Sequence, residues 1–411
     1  MNYQNVCILA LFVFLYSVIG GRADRTPING ALVYTLFGFL MGAQGLGLLD
    51  LNVDSGGMRT LAELTLALVL FTDAANADLG VLRQTIRVPR RLLLVGLPLT
   101  IVLGVVVGAF LFDGLSLFEV AVLATMLAPT DAALGKAVVT NTAVPPYIRQ
   151  GLSAESGLND GICVPILFVF LALASGAVTP EASKGLGLML VLKELGLGLL
   201  VGLGLTLLMA HLLRAASGRG WVTETWGQVP VLAMALGCFS AAQWLGGSGF
   251  IAAFSGGLLF GWLARAEKEP LLTAAEETGD TLALLTWVAF GAGVVGNYLH
   301  LLSWQVFWYA VLSLTVVRML PVFLCLAGVG SSTSEKLFIG WFGPRGLASI
   351  VFGVIVLNER LPGGGTIAVT VVCTILLSVI AHGLTANSFV RRLAAGEPSR
   401  LARSETDHHE R

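Results

Sequence analysis

Charge is scarce in this chain. Only 12% of the 411 residues are Asp, Glu, Lys or Arg, and the formal net charge is −1. A protein that binds nucleic acid concentrates basic residues on one face, and no such face is present, so nucleic acid is excluded as a partner. The chain also lacks the GxxxxGK[ST] motif that cradles nucleotide phosphates. Neither a nucleotide nor another cofactor is therefore expected.

Cysteines are few and isolated. None of the five lies in a CxxC or Cys/His spacing, and each stands alone in an apolar stretch. A disulfide framework or a zinc site needs clustered cysteines. Both are excluded, and small buried side chains are expected instead. The five are Cys7, Cys163, Cys238, Cys325 and Cys373.

Apolar residues and glycine are abundant. Apolar residues make up 56% of the chain, and 50 residues are glycine. This composition is typical of a membrane-embedded protein. A helix needs about 20 mainly apolar residues to cross a bilayer. About thirteen apolar runs in the sequence are long enough to do so. They predict an all-α polytopic membrane protein. The runs lie near 5–20, 31–48, 59–75, 92–112, 116–134, 150–174, 188–214, 228–245, 248–264, 277–298, 303–329, 336–357 and 365–388.

Lysine and arginine are concentrated in alternate loops between these runs. The opposite loops carry little beyond Arg59, Lys184 and Arg360. Because basic loops stay in the cytoplasm, the N-terminus is predicted outside and the C-terminus inside, in a plasma (inner) membrane. Residues 1–393 form the predicted transmembrane domain, and the polar tail 394–411 is predicted to be disordered.

The most unusual stretch runs from Leu127 to Pro165. It places Asp131, Glu155 and Asp160 inside apolar segments, beside Thr130 and Ser156. A carboxylate in the middle of a membrane helix costs roughly 2.5 to 3.5 kcal/mol on insertion scales. Such residues predict an ion or proton pathway.

The polar groups in this stretch suit a small cation. Ser156 and Asp160 are four residues apart on one predicted helix face, and a helix break at Thr130 can add a hydroxyl and free carbonyls. Oxygen ligands bind hard cations. A monovalent cation is favoured, because a site with several carboxylates would release Mg²⁺ or Ca²⁺ slowly. Since the same carboxylates bind protons, competition at one group would give antiport driven by an ion gradient.

Two predicted spans are interrupted at matching positions. Pro129–Asp131 breaks the fifth and Gly343–Gly346 breaks the twelfth, seven spans later. Paired broken helices indicate an inverted-repeat transporter, with repeats near 1–174 and 228–393 joined by the span at 188–214.

The arginine in the second break needs a partner. Arg345 is predicted to pair with Glu155 or Glu63, with Asn159 completing the hydrogen bonds, and so to hold the two breaks together. The alternative is a direct, purely structural pair between Arg345 and Asp160. Arg318 is expected in a structural ion pair.

Two other classes of protein compete with a transporter. Gly246–Gly249 satisfies the GxSG pattern of an intramembrane protease, with His382 as a conceivable base, but that leaves the central carboxylates without a role. His382 is more often a satisfied polar group. A cation channel also needs intramembrane carboxylates, yet two broken helices favour alternating access.

Four motifs together resemble the NhaP-type branch of the monovalent cation:proton antiporters. They are the Thr130–Asp131 pair, ESGLND at Glu155–Asp160, GPRG at Gly343–Gly346, and SVIAHGLTAN at Ser378–Asn387. The resemblance implies an inverted-repeat fold with two crossed, unwound helices, a homodimer, and electroneutral exchange of Na⁺ for H⁺, with K⁺ as the alternative ion.

The resemblance also implies roles for individual residues. Asp160 would be the shared cation and proton site, and Asp131 would act near it. Asn159 and Arg345 would be structural partners. The implied Na⁺ ligands are Asp160, Glu155, Ser156 and Thr130.

Overall fold

The computed structural model is built of helices wherever it describes regular structure. It describes residues 3–23, 26, 29–51, 56–77, 87–176, 184–264 and 268–396. Its α-helices of at least four residues are α1 (Tyr3–Ala23), α2 (Gly30–Met41), α3 (Gly56–Asn76), α4 (Arg87–Leu111), α5 (Leu117–Met126), α6 (Lys136–Val139), α7 (Pro146–Ala174), α8 (Lys184–Ser217), α9 (Glu224–Gly227), α10 (Pro230–Trp244), α11 (Gly249–Leu263), α12 (Lys268–Ala289), α13 (Trp304–Leu314), α14 (Val316–Cys325), α15 (Thr333–Trp341), α16 (Leu347–Asn358) and α17 (Gly364–Gly396).

The helices follow the predicted spans in order. Seven of the described helical segments are long and apolar enough to cross a membrane, and several shorter apolar helices accompany them. The all-α membrane fold is confirmed, whereas the number thirteen stays a prediction. Helix α17 continues to Gly396, beyond the predicted start of the tail, and residues 397–411 lie outside the described part of the chain.

The turn between α10 and α11 explains the glycine-rich GGSG segment. Gly246 has a φ of 78°, a left-handed conformation that glycine adopts without strain. Ser248 then caps α11, because its hydroxyl accepts from the Ile251 N–H at 3.4 Å. The segment is thus a turn and a helix cap between two separate helices.

Small residues allow α11 to pack tightly between α3 and α8. A Cβ atom at Gly257 would clash with the carbonyl of Phe71 in α3, and one at Gly202 of α8 would clash with that of Ala252. Close backbone approach of this kind is a common way for membrane helices to associate. Helix α7 contacts this group of helices and carries the central carboxylates.

The two predicted helix breaks are confirmed. Helix α5 ends at Met126 and the chain is not helical again until Lys136; α15 ends at Trp341 and α16 begins at Leu347. The breaks lie against each other, since the N–H of Asp131 donates to the Pro344 carbonyl at 2.8 Å. Proline in each break removes a backbone donor, and the freed groups bond across the gap.

Candidate functional site

Helix α7 carries the ESGLND motif to its middle. It begins with Pro146, where the missing N–H costs nothing, and runs for 29 residues. Glu155 and Asn159 are fully buried, and Asp160 is 8% exposed. The sequence therefore brings three polar side chains to the centre of a membrane helix.

Ser156 and Asn159 of α7 form hydrogen bonds to the first break. The Ser156 hydroxyl donates to the carbonyl oxygen of Thr130 at 2.8 Å and accepts from the N–H of Ala132 at 2.7 Å. Asn159 Nδ2 donates to Thr130 Oγ1 at 2.8 Å. The predicted neighbours Thr130, Ser156 and Asn159 are therefore brought together.

Asp131 joins the two breaks through the backbone. Its Oδ1 accepts from the N–H groups of Ala133 and Leu134 at 2.9 and 3.3 Å. Its Oδ2 accepts from the N–H of Leu347, at the start of α16, at 3.0 Å. A carboxylate at a helix N-terminus is favourable, so Asp131 caps α16 from the opposite break.

The glycines of the second break make room for these side chains. A Cβ atom at Gly346 would clash with the Asp131 carboxylate, and one at Gly343 would lie 2.7 Å from Arg318 Nε and 2.9 Å from Thr130 Cγ2. Both glycines of the GPRG motif are therefore needed because other side chains lie against their Cα atoms.

Asp160 is the carboxylate that the protein leaves least satisfied. Its Oδ1 is buried without a hydrogen-bond partner among the described residues, as is Oδ1 of the adjacent Asn159. The carboxylates of Asp131 and Asp73 act on Asp160 as like charges. A buried, unpaired oxygen calls for an explanation, and a bound cation or proton supplies one.

A small cavity adjoins this group on the side of the first break. Thr130, Asp131 and Ser156 line it together with apolar residues that include Leu152 and Val138. In the described helices no cluster of three His, Cys, Asp or Glu side chains could hold a metal ion. The polar residues that line this cavity carry hydroxyl, carbonyl and carboxylate oxygens.

The predicted partner of Arg345 is wrong. Glu155 pairs instead with Arg318 of α14, through two parallel bonds of 2.5 and 2.7 Å. Arg345 Nη1 donates to the carbonyl oxygens of Ala128 and Pro129 at 3.1 and 3.0 Å. Carbonyls at the C-terminal end of a helix carry partial negative charge, so the broken end of α5 accommodates the arginine.

Glu63 is likewise not a partner of the central arginines. It bonds to Arg59, one turn earlier on α3, at 2.7 Å. The pair lies at a second polar cavity, which is also lined by Glu194, Gln243 and Glu359. This cavity is separate from the one at Thr130.

The roles of two serines were missed by the sequence analysis, which named Ser378 only as the start of a motif. Ser378 of α17 accepts from the backbone N–H of Arg345 at 2.8 Å, and the Ser349 hydroxyl donates to the Met126 carbonyl at 2.8 Å. Both satisfy backbone groups that the breaks set free. A buried serine opposite a predicted break was the available signal, but serine is common in membrane helices.

His382 is a satisfied polar residue, as expected. Its ring nitrogens lie 2.7 Å from the carbonyl oxygens of Ser378 and Trp341. Ser248 is engaged in capping α11, and the described residues contain no hydrogen bond between it and His382. The protease hypothesis therefore has no serine–histidine pair.

Comparison with known families agrees with this geometry. The family model described as "Sodium/hydrogen exchanger, transmembrane" matches residues 8–392. The chain belongs to this family. A transporter family, rather than an enzyme family, therefore accounts for the central carboxylates.

Individual relatives are distant. The K(+)/H(+) antiporter NhaP2 of Shewanella sp. strain MR-4 is 25% identical over 93% of this chain, and the chain spans 66% of that relative's length. A Na(+)/H(+) antiporter of Schizosaccharomyces pombe is 26% identical over 58% of this chain and 54% of its own. The solved sodium proton antiporter MjNhaP1 from Methanocaldococcus jannaschii superposes with a TM-score of 0.71 at 20% identity, covering 93% of this chain and 99% of its own. The last comparison shows a shared antiporter fold.

Proposed function

We propose that this exchanger-family protein is a secondary antiporter that exchanges Na⁺ for H⁺ at Asp160. The observation that carries the proposal is the buried, unpaired Oδ1 of Asp160 beside the polar first break. An intramembrane carboxylate in that state gains most from binding either a cation or a proton. Because one group cannot hold both, each ion displaces the other.

The proposed cation ligands are Asp160, Ser156 and Thr130. Each offers an oxygen of the kind that Na⁺ and K⁺ prefer. Glu155, which the resemblance also implied as a ligand, has both carboxylate oxygens on Arg318. We assign it the role of fixing α7 rather than that of binding the ion.

The remaining parts of the proposal concern the whole molecule. The chain would form two inverted repeats, near 1–174 and 228–393. A core containing the spans predicted at 116–134, 150–174, 336–357 and 365–388 would make an elevator-like or rocking motion, so that Asp160 faces each side of the membrane in turn. The N-terminus would lie outside, the C-terminus in the cytoplasm, and the protein would act as a homodimer. One cation would exchange for one proton, without net charge.

The test is a transport measurement in vesicles with a preformed proton gradient. Addition of Na⁺ should collapse the proton gradient in vesicles that contain the unmodified protein. With Asp160→Asn, the loss of the gradient on adding Na⁺ should fall to the background rate, because the substitution removes the shared charge. Asp113→Asn is the matched control, since it makes the same change at an exposed loop carboxylate. Exchange that survives Asp160→Asn would overturn the proposal.

Potassium is the second candidate ion. The relatives named above include a K(+)/H(+) antiporter as well as a Na(+)/H(+) antiporter, so the same assay is run with Na⁺, Li⁺ and K⁺. Collapse of the gradient by K⁺ alone would select the alternative. A cation flux that needs no counter-moving proton would instead indicate a channel.

A further inference from the structure

We propose that the aromatic ring of Phe254 is the barrier that separates Asp160 from the second polar cavity. This barrier would decide from which side of the membrane the central carboxylate is accessible. Its consequence for transport rests on the proposed function, but its effect on accessibility does not.

Two cavities are lined by different sets of residues. One adjoins the first break and is lined directly by Thr130 and Ser156, the residues bonded around the site. The other is lined by Glu63, Glu194 and Glu359 and does not include any ESGLND residue among its walls. Of these two cavities, the first is therefore the one that touches the ESGLND motif, at Ser156.

Aromatic side chains form part of the wall of the second cavity. Phe250 of α11 and Phe168 of α7 line it. Phe254 lies one helical turn beyond Phe250 on α11, and Gly161 lies two turns before Phe168 on α7. From Phe250 and Phe168, the helices α11 and α7 therefore lead toward Asp160 by way of Phe254 and Gly161, which contact each other.

Phe254 and Gly161 are in unusually close contact. A Cβ atom at Gly161 would overlap three ring carbons of Phe254. Gly161 is buried and directly follows Asp160, so the ring lies against the backbone next to the carboxylate. A ring in direct contact with a helix backbone leaves no room between them for a hydrated ion.

The glycine makes the barrier sensitive to helix position. With no side chain at residue 161, the ring can rest on the backbone of α7 without being held by an interlocking side chain. Movement of α7 along α11 would carry Asp160 past the ring. We therefore expect the size of residue 254, rather than its polarity, to set the tightness of the seal.

Accessibility of a cysteine at residue 160 tests the barrier directly. Cys7→Ser removes the exposed cysteine, and the other four are buried. Asp160→Cys is added, and a small charged thiol reagent is applied from the side on which Gln243→Cys, an exposed residue of the second cavity, reacts. This reference fixes the side without any assumption about orientation.

We expect Asp160→Cys alone to react slowly from that side. Adding Phe254→Ala should raise the rate at least about tenfold, because the buried thiol no longer depends on an opening motion of the protein. Phe254→Leu, which keeps most of the bulk, should give a smaller increase. The same Phe254→Ala chain with Asp160 intact measures any reaction of the buried native cysteines.

Phe260→Ala is the matched control. It makes the same substitution two turns farther along α11, where Phe260 is buried against Phe71 and lines neither cavity. An equal rate increase with Phe260→Ala would overturn the barrier, because it would point to general loosening. So would fast reaction of Asp160→Cys with Phe254 intact, or no increase on adding Phe254→Ala.

The transport assay then separates this inference from the proposed function. With Asp160 intact, Phe254→Ala should let the proton gradient decay before any cation is added. If the unmodified protein shows no exchange but the accessibility result holds, the antiport proposal fails and the barrier stands. If exchange is normal and accessibility is unchanged, the barrier alone fails.

Discussion

Arg318 and Arg345 are both almost completely buried, at 1% and 0% exposed, yet the protein satisfies them differently. Arg318 meets a carboxylate, Glu155, in a two-pronged ion pair. Arg345 meets two neutral carbonyl oxygens at the end of α5. One arginine is neutralised by a full charge. The other contacts only the partial charges of a broken helix through Nη1, and its Nε and Nη2 have no hydrogen-bond partner among the described residues.

The difference shows that a helix break can supply hydrogen-bond acceptors for a buried arginine. An uninterrupted α5 would use the carbonyls of Ala128 and Pro129 in its own hydrogen bonds. Because the helix stops at Met126, these oxygens are free to accept from Arg345. The break thus supplies Arg345 with acceptors, so that of the two carboxylates on α7 only Glu155 is bound by an arginine.

Removal of Arg318 should have the largest effect. Arg318→Ala leaves the carboxylate of Glu155 buried and unpaired, and breaking a buried pair costs about 3 to 5 kcal/mol. The apparent unfolding temperature in detergent should fall sharply, and exchange should be lost with it.

The double change Arg318→Met with Glu155→Leu is the control. It removes both charges and keeps apolar volume, so most of the stability should return. A single Arg318→Ala protein as stable as the unmodified one would show that the ion pair does not stabilise α7.

Removal of Arg345 should have an intermediate effect. Arg345→Ala loses two charge-assisted hydrogen bonds. It also removes a buried guanidinium whose Nε and Nη2 have no partner among the described residues, and it leaves neutral carbonyls rather than a lone charge. The unfolding temperature should fall less than for Arg318→Ala, and exchange should fall because the breaks are held less firmly.

Ser378→Ala tests a second contact of Arg345, which its backbone N–H makes. It removes the acceptor for the Arg345 N–H and leaves the guanidinium in place. If Arg345→Ala proved more damaging to stability than Arg318→Ala, Arg345 would have to be neutralising a carboxylate, and the contrast between the two arginines would fail.

The fold was largely predictable because its signals are local. Apolar runs must be long enough to cross a bilayer, and Pro129 and Pro344 must interrupt whatever helix contains them. The neighbourhood of Thr130, Ser156 and Asn159 followed from one motif on α7 and one break. The further statement that these residues bind the ion is still a prediction.

The partner of Arg345 could not be predicted, because it depends on how distant helices pack. Glu155 lies 163 residues from Arg318, and in sequence Arg345 is an equally reasonable partner. The choice is made by α14 and by the free end of α5. Pairing rules also favour carboxylates over carbonyls, so the acceptors that Arg345 uses were overlooked.

The smallest effect is expected at Glu63, which the sequence analysis assigned to the same cluster. Its partner Arg59 has a side chain 40% exposed, and a pair four residues apart on a helix surface stabilises by about 0.3 to 0.5 kcal/mol. Glu63→Gln should therefore leave the unfolding temperature and the exchange rate nearly unchanged in the two assays above. Arg59→Gln is the control, and the two changes should match. A loss as large as that of Arg318→Ala would mean that Glu63 serves the buried arginines after all, because an exposed pair on α3 cannot account for several kcal/mol.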